Sequence, residues 1–279
     1  MPPPSPRPDD GRVTFDLIRL RLHFRAAGSL YFPPGKAGNT LRGAFGMLLQ
    51  RTAEAPEYAR IFEPRATGAG PSGLADPPRP FVFRAAHLNG QTIARGDEFH
   101  FDAHLFDTQA DFERDFIAAF AVWQRAEVIS AERQPVSIEF AGLMESAARV
   151  RVTFVTPTEL KPAVRPEFRV LFARLRDRVS TLRALYGPGP LDIDFRALGE
   201  RAARVALARC ELTWHSTERR STRTGQTHPI GGFTGMAEYQ AGYDDDLSEF
   251  LPYLRAGQWT GVGRQTVWGK GEICFQLCS

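Results

Sequence analysis

The apolar residues of this chain change period in the same order twice, and that recurrence limits the fold more than any other feature. Val13 to Arg25 reads as a strand, with Phe15 and Leu17 on one face and then Leu20, Leu22 and Phe24. The phase slips by one residue near Ile18–Arg19, which a β-bulge would absorb. Asn39 suits the N-cap of a helix from Thr40 to about Ala53, with Leu41, Phe45, Leu48 and Leu49 on one face. Strands follow around Pro80–Arg84 and Glu98–Phe106. In the second, Phe99, Phe101, Ala103 and Leu105 alternate with His100, Asp102 and His104. A helix over about Ala110–Arg125 places Phe112, Phe116 and Phe120 at four-residue steps, and Val136–Phe140 closes the unit as a strand. The order is β-α-β-β-α-β, the ferredoxin-like signature.

After a connector near Ala141–Ala148 the order recurs. Val150, Val152 and Phe154 alternate in a strand ended by Pro157. A helix from about Arg165 to Tyr186 presents Phe168, Leu171, Phe172, Leu175, Val179, Leu182 and Leu185, and Gly187-Pro188-Gly189-Pro190 stops it. A short extra helix is expected over Phe195–Leu207. Strands are expected at Ala208–His215, with Cys210, Leu212 and Trp214 inward, and at Gly232–Gln240. A helix near Asp246–Ala256 and a strand at Glu272–Leu277 complete the set. The fold class is therefore α+β, two tandem ferredoxin-like (RRM-like) domains over residues 12–144 and 145–279. Residues 1–11, rich in proline and lacking an apolar stretch, read as a disordered leader.

Composition bears on function at two points. No apolar run approaches the roughly 18 residues of a spanning helix. The three cysteines, Cys210, Cys274 and Cys278, have no CxxC spacing, which fits reduced thiols in a cytoplasm and speaks against a structural zinc site. The net charge is only +3, yet of the 35 basic residues all but Lys36, Lys161 and Lys270 are arginine. Guanidinium forks match phosphate oxygens and stack on bases, although a GC-rich genome gives the same bias.

Three segments could carry chemistry. Gly261-Val262-Gly263-Arg264-Gln265-Thr266-Val267-Trp268-Gly269-Lys270-Gly271 precedes the terminal strand. Glycines at 261, 263, 269 and 271 would let backbone N–H groups approach a phosphate chain, with Arg264 and Lys270 adding charge and Trp268 stacking a base. The GxxxxGK[ST] pattern is missing, so the loop is not of the nucleotide-triphosphate type. Arg219, Arg220 and Arg223 lie in a polar stretch, Glu218 to His228, between two strands. Such a basic finger could track an RNA strand, or be a solvated hairpin. In Leu41-Arg42-Gly43-Ala44-Phe45-Gly46, the glycines cost about 1 kcal/mol each relative to alanine, which a close approach of backbone or RNA would offset. Arg42 points off the apolar face and could reach a phosphate.

Those segments together resemble the RAMP superfamily of CRISPR-associated RNA-binding proteins, whose mark is a glycine-rich loop before the last strand. Within it the chain is most similar to the endoribonucleases that process precursor CRISPR RNA. The resemblance rests on the loop, on Arg42 to Gly46 of the first helix, on Tyr58 with Ile61-Phe62-Glu63-Pro64, and on Arg220-Ser221-Thr222-Arg223 running on to Gly231-Gly232-Phe233-Thr234-Gly235. It implies binding of CRISPR repeat RNA and metal-independent cleavage with no cofactor. The 2′-hydroxyl attacks the adjacent phosphorus, leaving a 2′,3′-cyclic phosphate and a 5′-hydroxyl. Other CRISPR-associated effector subunits are implied as further partners. Relatives commonly carry a histidine where this chain has Met47, and methionine cannot shuttle protons. The resemblance then leaves Tyr31 and Lys36, in the loop before the first helix, to orient the nucleophile and to stabilise the phosphorane or protonate the leaving oxygen. His228 in the basic finger is the alternative. A RAMP-type subunit that holds guide RNA without cutting is the second reading. His23, His100 and His104 fall on outward faces and are expected to be solvated, and His87 and His215 have no partner visible in sequence.

Overall fold

The computed structural model describes residues 13–65, 77–108, 111–140, 145–160, 165–215, 218–220, 227–229, 231–243 and 245–278; the N-terminal leader lies outside them. In the first unit, strand β1 (Thr14–Ala26) is followed by a two-residue strand β2 (Leu30–Tyr31), helix α1 (Ala37–Thr52) and a short helix α2 (Ala55–Phe62). Then come β3 (Phe81–Arg84), a two-residue β4 (Thr92–Ile93), β5 (Glu98–Leu105), helix α3 (Phe112–Ala121) and β6 (Ala126–Glu139). The main sheet runs β3-β5-β1-β6, all antiparallel, while β2 and β4 pair separately.

The second unit has β7 (Arg149–Thr158), helices α4 (Phe168–Tyr186) and α5 (Phe195–Ala202), and β8 (Ala206–His215). A small hairpin of β9 (Glu218–Arg220) and β10 (Thr227–Pro229), strand β11 (Gly232–Gln240), helix α6 (Leu251–Thr260) and β12 (Ile273–Cys278) complete it. Its sheet runs β12-β7-β11-β8. Leaving aside the small extra strands, both sheets place the first and third strands at the centre, flanked by the fourth and the second. Both halves are therefore ferredoxin-like.

Packing explains where residue patterns were read correctly and where they were not. Phe24, Phe45, Phe81, Phe83, Phe101, Phe116 and Phe120 fill the first core, with the Phe45 and Phe116 rings stacked at 4.1 Å. Each such side chain contributes about 1.5–3 kcal/mol on burial. The apolar slip at Ile18–Arg19 is not a bulge, because pairing of β1 with β6 runs unbroken through Leu17↔Val136, Ile18↔Pro135 and Arg19↔Gln134; the register shifts at His23/Phe24 instead. The slip marks a change of partner. Ile18, Leu20, Leu22 and Phe24 face the first unit's own core, whereas Phe15 and Leu17, on the opposite face, join the core of the second unit with Val82, Phe106 and Ile138. The sheets of the two units are thus joined through apolar contacts.

Helix α1 starts earlier than its sequence suggests. Asn39 lies inside it, and the cap comes from elsewhere: Asn89 Oδ1 accepts from the Ala37 N–H at 3.0 Å. Strand β6 extends ten residues further toward the N-terminus than the Val136 expected from alternation, since as an edge strand exposed over most of its length it lacks a clear apolar face. Trp214, expected inward, is 53% exposed on edge strand β8. Asp246 does not enter a helix; it accepts from Ser146, Ala147 and Ser248, and α6 begins at Leu251 with Pro252 in its first turn.

Candidate RNA-processing site

Helix α6 stops at Gly261, and the eleven-residue loop 261–271 that leads to β12 turns on left-handed backbone. Gly261, Gly263, Gln265, Gly269 and Gly271 have φ of 71°, 82°, 61°, 82° and 70°. Four of these five positions are glycine because no other residue adopts that conformation freely. A Cβ on Gly271 would stand 2.0 Å from the Val262 carbonyl oxygen, and one on Gly263 would stand 2.5 Å from that of Glu159.

The expectation that the glycine N–H groups are held out to a phosphate is corrected for three of the four. Gly261 donates to Gly257 O, Gly269 to Thr266 O and Gly271 to Pro157 O, so these amides close the loop and tie it to its surroundings. Lys270 is likewise corrected as an RNA-facing charge. It is 3% exposed, and its Nζ donates to the Gly231 carbonyl (2.6 Å) and to Gln265 Oε1 (3.0 Å). Burial pulls its pKa down. Its ammonium fastens the loop to Gly231, directly before β11.

What the loop holds outward is Arg264, exposed, with Nη1 3.8 Å from Glu159 Oε1. Trp268 is half-buried at a cleft of about 580 Å³ that also receives Gln265, Arg65, Arg79, Phe81 and Arg178. Arg178 donates Nε to Thr260 O at 3.0 Å, and burial beside Arg84 brings its pKa down to about 9. A cleft lined by arginines with an indole at its edge has the chemistry to take phosphate and a stacked base.

The loop is docked on the first unit. A Cβ on Gly38 would lie 2.7 Å from Gly269 Cα and 3.2 Å from Gly269 N, so the first turn of α1 and the glycine-rich loop meet backbone to backbone. Lys36, the N-cap residue of α1 two positions before Gly38, is exposed, and so is Tyr31 in β2. Arg42 does not reach outward as expected: it is half-buried, its guanidinium 4.7 Å over the Phe62 ring. Gly46 accommodates that same ring, which a Cβ would meet at 2.4 Å, whereas Gly43 faces open space. Close packing offsets one helix glycine and not the other.

In the basic finger, β9 and β10 pair with Arg219 opposite His228 and Arg220 opposite Thr227. Arg223 lies outside the described residues, as do the side chains of Arg219, Arg220 and His228. Through Lys270 the loop is tied to Gly231, two residues beyond β10. The loop thus meets the first turn of α1 and the residue Gly231 that follows the basic finger.

Residues read as solvated histidines prove otherwise. His104 is 5% exposed between the units, donating Nδ1–H to Trp259 O at 2.9 Å with its ring 4.8 Å from the indole. Burial, with Arg84 nearby, lowers its pKa to about 3. Arg84, also buried, donates to Trp259 O at 3.0 Å. The pairing β1–β5 sets His23 opposite His100, and His87 stacks on His100. His215 bonds Thr234 Oγ1 at 2.7 Å. Among the described residues no group of three or more His, Cys, Asp or Glu side chains could hold a metal, and no helix is long and apolar enough to cross a membrane.

Two ferredoxin-like units, with a glycine-rich loop of the second docked on the first helix, match the tandem ferredoxin-like folds of solved Cas6 structures. Residues 152–273 match the family model described as CRISPR-associated endoribonuclease Cas6, and residues 15–159 match one described as AF_1859_N, an N-terminal domain. The AF_1859_N match covers more than half of the chain, so its first unit is of that type, and its second unit is similar to the CRISPR-associated endoribonuclease family Cas6; together the matches support a CRISPR-associated precursor-crRNA-processing family. Among solved structures it is similar to a product complex of Cas6 (TTHB231), at 18% identity and a TM-score of 0.60 over 94% of this chain and 100% of that one. Cas6 (TTHB231) of Thermus thermophilus itself aligns at 17% identity and a TM-score of 0.57, over 95% and 100% of the two chains. A partial Cas6-RT-Cas1–Cas2 complex aligns at 11% identity and a TM-score of 0.62, over 94% of this chain and 46% of that one. At these identities the likeness is one of fold. No match is found among curated proteins.

Proposed function

We propose that this chain binds CRISPR repeat RNA and cuts precursor crRNA in the cytoplasm without a metal or other cofactor. The 2′-hydroxyl upstream of the cut attacks the adjacent phosphorus, and the products are a 2′,3′-cyclic phosphate and a 5′-hydroxyl. The observation that carries the reading is the backbone contact of Gly38 with Gly269, which sets the exposed Lys36 of one unit beside the Arg264–Trp268 loop of the other. An RNA strand stacked on Trp268 and held by Arg264 would pass the first turn of α1. There the Lys36 ammonium can counter charge on the pentacoordinate phosphorus and protonate the leaving 5′-oxygen, while the Tyr31 hydroxyl orients the nucleophile. His228 at the base of the finger is a further candidate. The Cas6 family match and the product and substrate-mimic complexes of similar proteins support the coarser part of this reading, an endoribonuclease that processes crRNA. Other CRISPR-associated proteins are the expected partners beyond RNA, as in the Cas6-RT-Cas1–Cas2 assembly of a similar chain.

The test is cleavage of the cognate repeat RNA by purified protein in EDTA. Cutting that a single 2′-deoxy substitution upstream of the cut abolishes is the expected result. Tight binding without a cut would favour a subunit that holds guide RNA, and Met47, 62% exposed on α1 where relatives commonly present a histidine, is the observation behind that second reading.

A further inference from the structure

The loop that carries His87 is laced to the one that carries Tyr31 and Lys36. Gly90 N–H donates to Phe32 O at 2.8 Å, Phe32 N–H to Gln91 O at 3.0 Å, and β2 pairs with β4. Asn89 Oδ1 then caps Ala37, the residue directly after Lys36. His87 itself stands in the single turn Ala86–Leu88 that follows β3, exposed, with its ring stacked on His100 at 4.8 Å. Beside the pair opens a cleft of about 520 Å³ lined by Arg21, Arg84, Asn89, Asp102 and Glu272. Neither histidine has a role in the site described above.

Resting on the endoribonuclease reading, we propose that His87 is the general base of the cleavage step, taking the 2′-hydroxyl proton on Nδ1. The tautomer follows from its hydrogen bond to the backbone of β5. Nε2 lies 2.9 Å from the His100 carbonyl oxygen, which can only accept, so Nε2 carries the proton and Nδ1 of the neutral ring keeps its lone pair. A ring fixed by a backbone carbonyl at one nitrogen is oriented for proton transfer at the other.

The surroundings suit a phosphodiester. Arg84 is only 7% exposed, and its Nε and Nη1 have no hydrogen-bond partner among the described residues, while Nη2 is used on Trp259 O. Asp102 is neutralised by Arg19 and Arg21 at 2.8 and 2.7 Å, and His23 meets Glu132 at 3.2 Å. Glu272 faces Arg84 from the second unit. Burial, together with Arg21, lowers the pKa of His100, which disfavours a charge on the ring stacked on His87.

The step balances as follows. The 2′-oxygen bonds to phosphorus as its proton passes to His87 Nδ1; the phosphorus–O5′ bond breaks, and the leaving oxygen takes a proton from Lys36. Water then takes the proton from the imidazolium and restores the lysine.

The experiment is single-turnover cleavage of the cognate repeat RNA by the full chain, as wild type, His87→Ala and His87→Gln. Binding is measured in parallel on RNA with a 2′-deoxy sugar at the cut. Because His87 is exposed, both variants should melt with the wild type. We expect them to bind as wild type does and to cut about 10²-fold more slowly, or worse. Free imidazole should restore part of the rate to His87→Ala, and the rising limb of the pH–rate profile should vanish. Cutting at the wild-type rate by His87→Ala, or equal losses in cutting and binding, would overturn the assignment and leave the endoribonuclease reading intact. Wild-type protein that binds without cutting would overturn both.

Discussion

Replacing Gly38 and Gly43 by alanine in separate variants tests whether the two units are locked where the structure places the lock. Both glycines lie in α1, and alanine in place of a helix glycine ordinarily stabilises by about 1 kcal/mol. At Gly43 nothing lies within 4 Å of the new methyl, so that gain should appear in full. At Gly38 the methyl would stand 2.7 Å from Gly269 Cα and 3.2 Å from its nitrogen, both backbone atoms of a loop already closed by its own hydrogen bonds. Overpacking of this kind costs about 1–3 kcal/mol. The two variants should therefore differ by about 1–3 kcal/mol, which in a chain of this size is about 2–12 °C in Tm. Thermal unfolding followed by circular dichroism reads the difference, and RNA cleavage should fall only in Gly38→Ala. A Gly38→Ala protein as stable and as active as Gly43→Ala would refute the docked loop.

Arg264→Ala should weaken RNA binding and flatten its salt dependence, as loss of one phosphate contact does; affinity measured over a range of salt concentrations checks this. Lys36→Ala should slow cutting far more than it weakens binding, read as single-turnover rate against Kd. Lys270→Ala should lower stability by about 1 kcal/mol or more, because the half-buried Gly231 carbonyl and Gln265 lose their donor. His104 titrates near pH 6.5 when unfolded but at about 3 when folded, so on acidification the unfolded chain takes up the proton first. Stability should then fall between pH 6.5 and 3, by up to about 1.4 kcal/mol per pH unit from this one residue. His104→Asn should remove that part of the slope in denaturant melts at pH 7 and pH 5.

The order of elements was legible because each half repeats one pattern of apolar periods. What one sequence could not show is which face meets the other unit. Phe15 and Leu17 looked like a register fault because a strand covered on both faces loses its alternation, and His104 looked solvated because its cover, Trp259, is 155 residues away. The glycine-rich loop was found, but its role was partly misread. Glycine spacing reveals freedom of the backbone, not where the amides point, and a lysine inside a loop gives no hint that Gly231 will bury it. Lys36 and Tyr31 were singled out by resemblance. His87 and His100, 13 residues apart, become neighbours only once β3 and β5 pair, which alternation alone does not dictate.

The most direct measurement is cross-linking of repeat RNA that carries a photoreactive base on either side of the cut, followed by mass spectrometry of the attached peptides. Peptides spanning residues 30–42 and 261–271 should both be recovered from nucleotides flanking the scissile phosphate. Adducts confined to one half of the chain, whichever base is activated, would contradict a site shared by both.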